Sequence, residues 1–332
     1  EAVVGVPMRQ AVALAIEEAI AQGRAAFGVE LLALDDEASP ERARELARRV
    51  ADDARVVGVV GHKNSGPSSA AGGIYASAGL VQISQSSTNS DLAEQGWQTF
   101  FRVCADNDAQ ARAAAQFALE VLKVRRVAAV HDQTAYGRPL AETFVTAISQ
   151  AGGEVVAVEA VELGQREFDQ TVKRLGGAGC DLIYFGLTEI EASFLTRELR
   201  VAGVQALLLG ADGSRQSPYP RLTGPAAEGV YGTYAGVDPG ESAQGKAFLH
   251  SYEERFGECP IFGAEAYDAA QVLLEALHRA GKPDRSAVLA QVREMEGLAG
   301  ATGTISFEPN GNRRDANVTV WQVVDGKMRL IS

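Results

Sequence analysis

Short apolar runs alternate with helix-patterned stretches almost from one end of the chain to the other, and this rhythm limits the fold more than any other feature. Residues 56–60, 81–84, 127–131, 155–158, 182–185 and 206–209 are predominantly apolar and too short to be helices. Residues 3–6 and 29–34 read as two earlier members of the series. The intervening stretches carry helical spacing. Val12, Ile16, Ala19 and Ile20 recur on one face after the first run, and residues 110–122, 140–151 and 191–202 behave alike. Ser39-Pro40 supplies an N-cap followed by proline at the first helical position. Strands apolar on both faces, each followed by a helix, are those of a parallel sheet covered on both sides. The reading is therefore an α/β chain of the doubly wound kind.

At 332 residues the chain exceeds one core of ordinary size, which predicts two domains. No Pro/Gly/Ser-rich linker separates two halves, so two lobes would have to be joined by several short crossings. The rhythm breaks near the end. Helical stretches at 240–256, 263–280 and 285–295 precede strand-like runs at 304–307, 318–324 and 328–331. Turn residues lie between these runs, at Pro309-Asn310-Gly311 and Asp325-Gly326, and the second is a strong hairpin signal.

Composition removes several classes. No stretch approaches the roughly 20 apolar residues of a membrane span. Lys and Arg number 31 against 43 Asp and Glu, a net charge of −12 that opposes nucleic acid and anionic membranes. The cysteines, Cys104, Cys180 and Cys259, form no CxxC pair and read as small buried hydrophobes; their odd number leaves one disulfide open. Glycine-rich phosphate loops and His/Cys clusters are absent, so neither a cofactor nor a metal is expected. His62 before Ser65, and His131 beside Asp132, allow a hydrolytic triad to be imagined, but no G-x-S-x-G elbow accompanies them. No leader opens the sequence, which fits either a cytoplasmic protein or a removed targeting peptide.

In open α/β sheets ligands sit beyond the carboxyl ends of the strands. The loops there hold Asn64 and Ser65 after the run at 56–60, and Ser86, Ser87 and Thr88 after 81–84. Tyr136 follows 127–131, Thr188 follows 182–185, and Asp212 follows 206–209. Hydroxyls and unpaired N–H groups at a helix N-terminus suit a carboxylate, with Ser65 and Thr88 the foremost donors. Asp212, in a glycine-flanked turn, is the candidate acceptor for an ammonium group, and Tyr136 would form an aromatic wall. Each has an ordinary alternative: capping for the hydroxyls, a solvated turn for Asp212, packing for Tyr136.

The ordered set Gly61-His62-Lys63-Asn64-Ser65-Gly66, Ile74-Tyr75 and Val81-Gln82-Ile83-Ser84-Gln85-Ser86-Ser87-Thr88-Asn89 resembles the branched-chain (Leu/Ile/Val) amino-acid-binding protein family of ABC transporters. The similarity continues through Phe101-Arg102-Val103, Val130-His131-Asp132, Tyr136-Gly137, Phe168 and Gly210-Ala211-Asp212-Gly213. It closes with 306–311 and 323–327, thus covering nearly the whole chain. It implies a type I periplasmic-binding fold: two doubly wound lobes, 1–104 plus 236–307 and 105–235 plus 308–332, joined by three crossings. The ligand site would lie between the lobes. Ser65 and Thr88 would hold an α-carboxylate with backbone help from Asn64 and Ser86, Asp212 the α-ammonium, and Tyr136 an aromatic contact.

Some positions depart from the family. Thr188 stands where some members have tyrosine, Asp212 is shorter than the glutamate often found there, and Ala38 and Asn64 replace a disulfide of some members. Val6 runs into a helix starting near Pro7-Met8, where the family has a longer loop that reaches the ligand. Either that contact is lost or residues are missing there, and the second is the expectation. The implied function is capture of an amino acid, branched-chain or another small one, in the periplasm or outside the cell, by a monomer, lipid-anchored or not, for an ABC permease. Two alternatives stand: a sensing domain of the same fold for an amide, urea or aromatic acid, and, behind it, a hydrolase.

Overall fold

The computed structural model describes residues 2–25, 28–215 and 218–331, with no side-chain account of residues 2–4. Along the chain run α1 (Ala2–Ala21), α2 (Pro40–Asp52), β1 (Gly58–Val60), α3 (Ser65–Ser77), β2 (Val81–Ser84) and β3 (Phe100–Arg102). Next come α4 (Asn107–Gln116), continued by a π-helical turn at Phe117–Val121, β4 (Arg126–His131), α5 (Gly137–Gln150), β5 (Glu154–Ala160), α6 (Asp169–Gly177) and β6 (Leu182–Gly186). Then follow α7 (Glu189–Val201), β7 (Leu207–Gly210), α8 (Asp212–Arg215), α9 (Pro218–Thr223) and β8 (Tyr231–Tyr234). The chain closes with α10 (Ala243–Phe256), α11 (Gly263–Ala280), α12 (Arg285–Arg293), β9 (Leu298–Gly300), β10 (Gly303–Ile305), β11 (Thr319–Val324) and β12 (Lys327–Leu330).

These elements form two compact units, Glu1–Ala105 with Gly236–Ala316, and Asp106–Ala235 with Asn317–Ser332. In the second unit a seven-stranded sheet has the order β12-β11-β8-β7-β6-β4-β5. β8 through β5 are parallel, and β11 and β12 run antiparallel at one side. The two-residue period of the strands divides this sheet's apolar residues between two cores. Val127, Ala129, Leu182, Tyr184 and Leu209 join Ala114 of α4 and Leu140 and Phe144 of α5. Ala128, Val130, Ile183, Phe185 and Leu208 join Val172 and Leu175 of α6 and Leu195 and Leu199 of α7. Both faces are dry, which is why the runs looked continuously apolar. The Asp325-Gly326 turn joins β11 to β12 with positive φ at both residues (53° and 71°), the conformation of a primed hairpin turn.

In the first unit the sheet is three-stranded and parallel, in the order β1-β2-β3. Val81, Ile83 and Phe101 pack on α11 and α12, while Ala47 and Val50 of α2 meet Ala71 and Tyr75 of α3. A small antiparallel hairpin of β9 and β10 completes the set.

Three sequence expectations are corrected, and strands not read from the sequence are added. Residues 3–6 are not a strand: α1 absorbs them, because a short apolar run continuous with a helical pattern extends that helix when no ladder awaits it. Residues 29–34 are likewise outside any ladder, and Leu31, Leu32 and Leu34 are exposed. Apolar character cannot make a strand without a partner for its backbone groups. The third crossing falls between Ala316 and Asn317 and not at 307/308. The chain doubles back after Phe307: Arg102 N donates to Gly311 O at 3.0 Å, Arg314 N to Ser306 O at 2.8 Å, and Arg313 reaches Val103 O at 3.0 Å. Finally, β8 and β9 are strands that periodicity did not single out, since Tyr-Gly-Thr-Tyr and Leu-Ala-Gly lack a sustained apolar run.

Candidate functional site

In the first unit two loops leave the carboxyl ends of β1 and β2 and are laced together by serines. Ser84 Oγ accepts from Ser87 N at 2.9 Å and donates to His62 O at 3.2 Å. Ser87 Oγ donates to His62 O at 2.9 Å and meets Ser68 Oγ at 2.8 Å, and Ser86 Oγ donates to Lys63 O at 2.9 Å. These two candidate residues thus spend their hydroxyls on holding one loop to the other. Ser65, at the first turn of α3, accepts from Asn89 N at 3.2 Å and is 2% exposed.

Thr88 and Asn64 differ. The Thr88 hydroxyl is fully buried and has no partner among the described residues. Asn64 occupies the N-cap position of α3 yet makes no side-chain cap bond, and its buried Oδ1 is also unpartnered. A residue type favoured for capping, with its side chain withdrawn from that task, is directed elsewhere. Beneath these loops lies Arg102 of β3, fully buried, which sequence reading quoted but gave no role. Its guanidinium donates to Asn89 O at 2.8 Å, Ser87 O at 3.1 Å and Asn312 Oδ1 at 2.7 Å. It fixes the backbone on either side of Thr88.

In the second unit the loops after β4, β6 and β7 converge. Gly137 and Gly186 permit this: a Cβ on Gly137 would stand 2.1 Å from Gly186 O, and one on Gly186 would stand 2.4 Å from Gly137 O. Asp212, 4% exposed, opens α8 directly after β7. Its Oδ1 accepts from Gln110 Nε2 at 2.9 Å and Ala235 N at 3.0 Å, whereas its Oδ2 has the longer contact from the Tyr136 hydroxyl at 3.4 Å. Burial raises its pKa to about 6, above the usual carboxylate range, against the pull of those hydrogen bonds. Burial, reinforced by the Asp212 charge, likewise raises Tyr136 well above an ordinary tyrosine. Tyr136 remains half-buried, and its carbonyl accepts from Asn107 Nδ2 at 3.0 Å.

Thr188, the N-cap of α7, gives its hydroxyl to the buried Glu191 carboxylate, which also accepts from Gly164 N. Gln110 and Asn107 were missed in the sequence. Their only signal was a place in the first turn of α4, and the bond that gives Gln110 its task spans 102 residues. His62, the imagined catalytic base, meets Asp36 Oδ2 through Nδ1 at 2.5 Å and the Tyr75 hydroxyl through Nε2 at 3.1 Å. Both ring nitrogens are engaged, and neither is bonded to Ser65.

Tyr136 and Asp212 are thus brought into contact within one unit, as are the loops bearing Asn64, Ser65, Ser86, Ser87 and Thr88 within the other. A family model described as periplasmic binding protein matches residues 1–327. A relative named Leu/Ile/Val-binding protein homolog 3, from Brucella melitensis, is 29% identical over 295 residues, 89% of this chain and 80% of that protein. A leucine-binding protein, LivK, from Thermotoga maritima superposes with a TM-score of 0.89 at 26% identity, covering 98% of this chain and 92% of that one. The Streptococcus pneumoniae substrate-binding protein LivJ, solved with isoleucine, superposes with a TM-score of 0.87 at 22% identity, covering 98% of this chain and 94% of the other.

Proposed function

The chain belongs to the periplasmic binding protein family, and from that premise we propose that it captures a free amino acid outside the cytoplasmic membrane and delivers it to an ABC permease. In this reading it acts as a monomer and catalyses nothing. Ser65 and Thr88, with the N–H groups opening α3, take the α-carboxylate, and Asp212, flanked by Tyr136, takes the α-ammonium.

The observation that carries the reading is the condition of Asp212. It is a buried acid with no cation paired to it among the described residues, its pKa raised to about 6, and one oxygen left with only a long contact. Enclosing a carboxylate without a counter-charge costs several kcal/mol, so such a site is completed by a ligand that brings the positive charge. The unpartnered Thr88 hydroxyl supports the same reading at the other end of the zwitterion.

A thermal-shift screen of the common amino acids tests it, because a ligand that binds only the native state stabilises it by about 2.7 kcal/mol at a hundredfold excess over Kd. At least one amino acid is expected to raise the melting temperature, and Asp212→Ala to weaken its binding by about tenfold or more, on the order of 1.4 kcal/mol. Unchanged affinity in that variant would remove the ammonium assignment. No shift with any amino acid would remove the function.

A further inference from the structure

Around Tyr136 and Asp212 the second unit holds three more buried oxygens without partners among the described residues: Asn107 Oδ1, Gln110 Oε1 and Asp132 Oδ2. Each belongs to a side chain that is at most 2% exposed. Each is tied at its other end to the same small group. Asn107 Nδ2 donates to the Tyr136 carbonyl, and Gln110 Nε2 donates to Asp212. Asp132 Oδ1 accepts from Thr134 N at 3.0 Å and from the Thr134 hydroxyl at 2.6 Å, and Thr134 Oγ1 in turn accepts from Tyr136 N and Gly137 N. The side chains are therefore held rigidly, with one acceptor each to spare.

An α-ammonium group has three N–H donors, and Asp212 and its hydroxyl neighbour already answer part of that need. Three further acceptors, one of them a carboxyl, exceed what the ammonium of an aliphatic amino acid can satisfy. Buried oxygens left facing a hydrocarbon side chain oppose binding, so a site built to accept hydrogen bonds discriminates strongly against a ligand that lacks the donors. The Asp132 pKa is raised from its ordinary value, by burial first, against the pull of the Thr134 hydrogen bonds and with the nearby Glu191 charge adding to it, which fits an acid awaiting a donor.

We propose that the ligand carries a second N–H-donor group on its side chain, a carboxamide, ammonium or guanidinium, and that Asp132, with Asn107 and Gln110, receives it. The chain is on this view selective for a donor-bearing amino acid over leucine, isoleucine or valine. This rests on the amino-acid-binding reading above and adds the class of side chain.

Calorimetry on the full chain, dialysed free of carried ligand, with leucine, glutamine, lysine and arginine decides it. Glutamine, or lysine and arginine, is expected to bind at least about tenfold tighter than leucine, and which arm wins separates a carboxamide from a cation. Asp132→Asn keeps Oδ1 for Thr134 but turns the other oxygen into a donor. It should weaken the preferred ligand by about tenfold while leaving leucine unaffected, a change of ratio that a merely structural role would not produce. Leucine binding as tightly as every donor-bearing amino acid, or an equal loss for both ligands in Asp132→Asn, overturns the inference and leaves the function intact. Binding of none of the four, with a flat result for the other amino acids, defeats both. Should Asp132→Asn fail to fold, the ranking of ligands by the unmodified chain decides alone.

Discussion

A buried acid that is kept partly protonated makes a protein's stability and its binding respond to pH in opposite senses, and Asp212 is such an acid. Its pKa is about 6 in the folded chain against 3.8 for an ordinary aspartate, so the native state holds the proton more tightly than the unfolded state does. Its contribution is therefore most favourable below pH 4 and is lost as the pH rises towards 6, by about 3 kcal/mol in all for a shift of about two units. Asp212→Asn should accordingly melt higher than the unmodified protein at pH 7 without ligand, and the gap should close near pH 4. Ligand binding runs the other way, since an ammonium group wants the carboxylate; affinity should fall as the pH drops below about 6. Equal melting temperatures across that range would show that the acid is not enclosed as described. Thr88 allows a cleaner separation of binding from folding. Because its hydroxyl bonds none of the described residues, Thr88→Val should leave the melting temperature within about a degree or two or raise it, yet weaken the ligand about tenfold. A variant that loses stability and keeps its affinity would contradict the role given to that hydroxyl. The positions of Ser65, Thr88 and Asp212 just beyond strand ends were legible because that placement needs only the strand positions. Gln110 and Arg102 were not, because each works through partners far away along the chain.

At the scale of the element, the loops at the ends of β1 and β2 are precise because β3 places a buried arginine beneath them. Arg102 is fully enclosed and bonds Ser87 O, Asn89 O and Asn312 Oδ1. Arg102→Ala would strand those acceptors in a dry interior, and a loss of about 3 kcal/mol in denaturant unfolding, with weakened ligand binding, is expected. A loss below about 0.5 kcal/mol would mean that the loops stand without it. The failures of sequence reading at this scale share one cause. The run at 29–34 has the apolar character of a strand and lacks a strand partner among the described residues, while Tyr231–Tyr234 has little of that character and pairs with two strands, β7 and β11. A strand is a property of a pair of segments, and one segment read alone carries half of the information.

For the whole molecule, the consequence of discontinuous units is that chain ends far apart in sequence complete one core. The last strands, β11 and β12, extend the sheet of the second unit beside β8, and Val320 and Val323 enter its two opposite cores. Trp321 is buried with them. At about 1.5–3 kcal/mol for each large side chain, losing these three takes away much of the 5–15 kcal/mol that holds a typical domain together. A chain ending at Ala316 should therefore lose hydrogen-exchange protection across β4, β6 and β7, although none of those strands is altered. Retained protection there would show that residues 106–235 fold without the returning strands.

What the sequence determined by itself was the class and its periodicities. Alternating faces made both sides of the strands apolar, helices followed them, the Asp-Gly turn demanded positive φ, and strand ends marked where chemistry could gather. These are local matters, settled by sterics and by the two-residue and 3.6-residue periods of backbone geometry. Only the tertiary structure decided which apolar runs found partners, that residues 308–316 turn back into the first unit, and which polar atoms were left without bonds. The serines of the β2 loop look alike in the sequence, yet Ser86 and Ser87 are consumed by carbonyls while Thr88 is spared. Hydrogen-bond satisfaction depends on what folding brings within about 3 Å, and no residue carries that information in its own name.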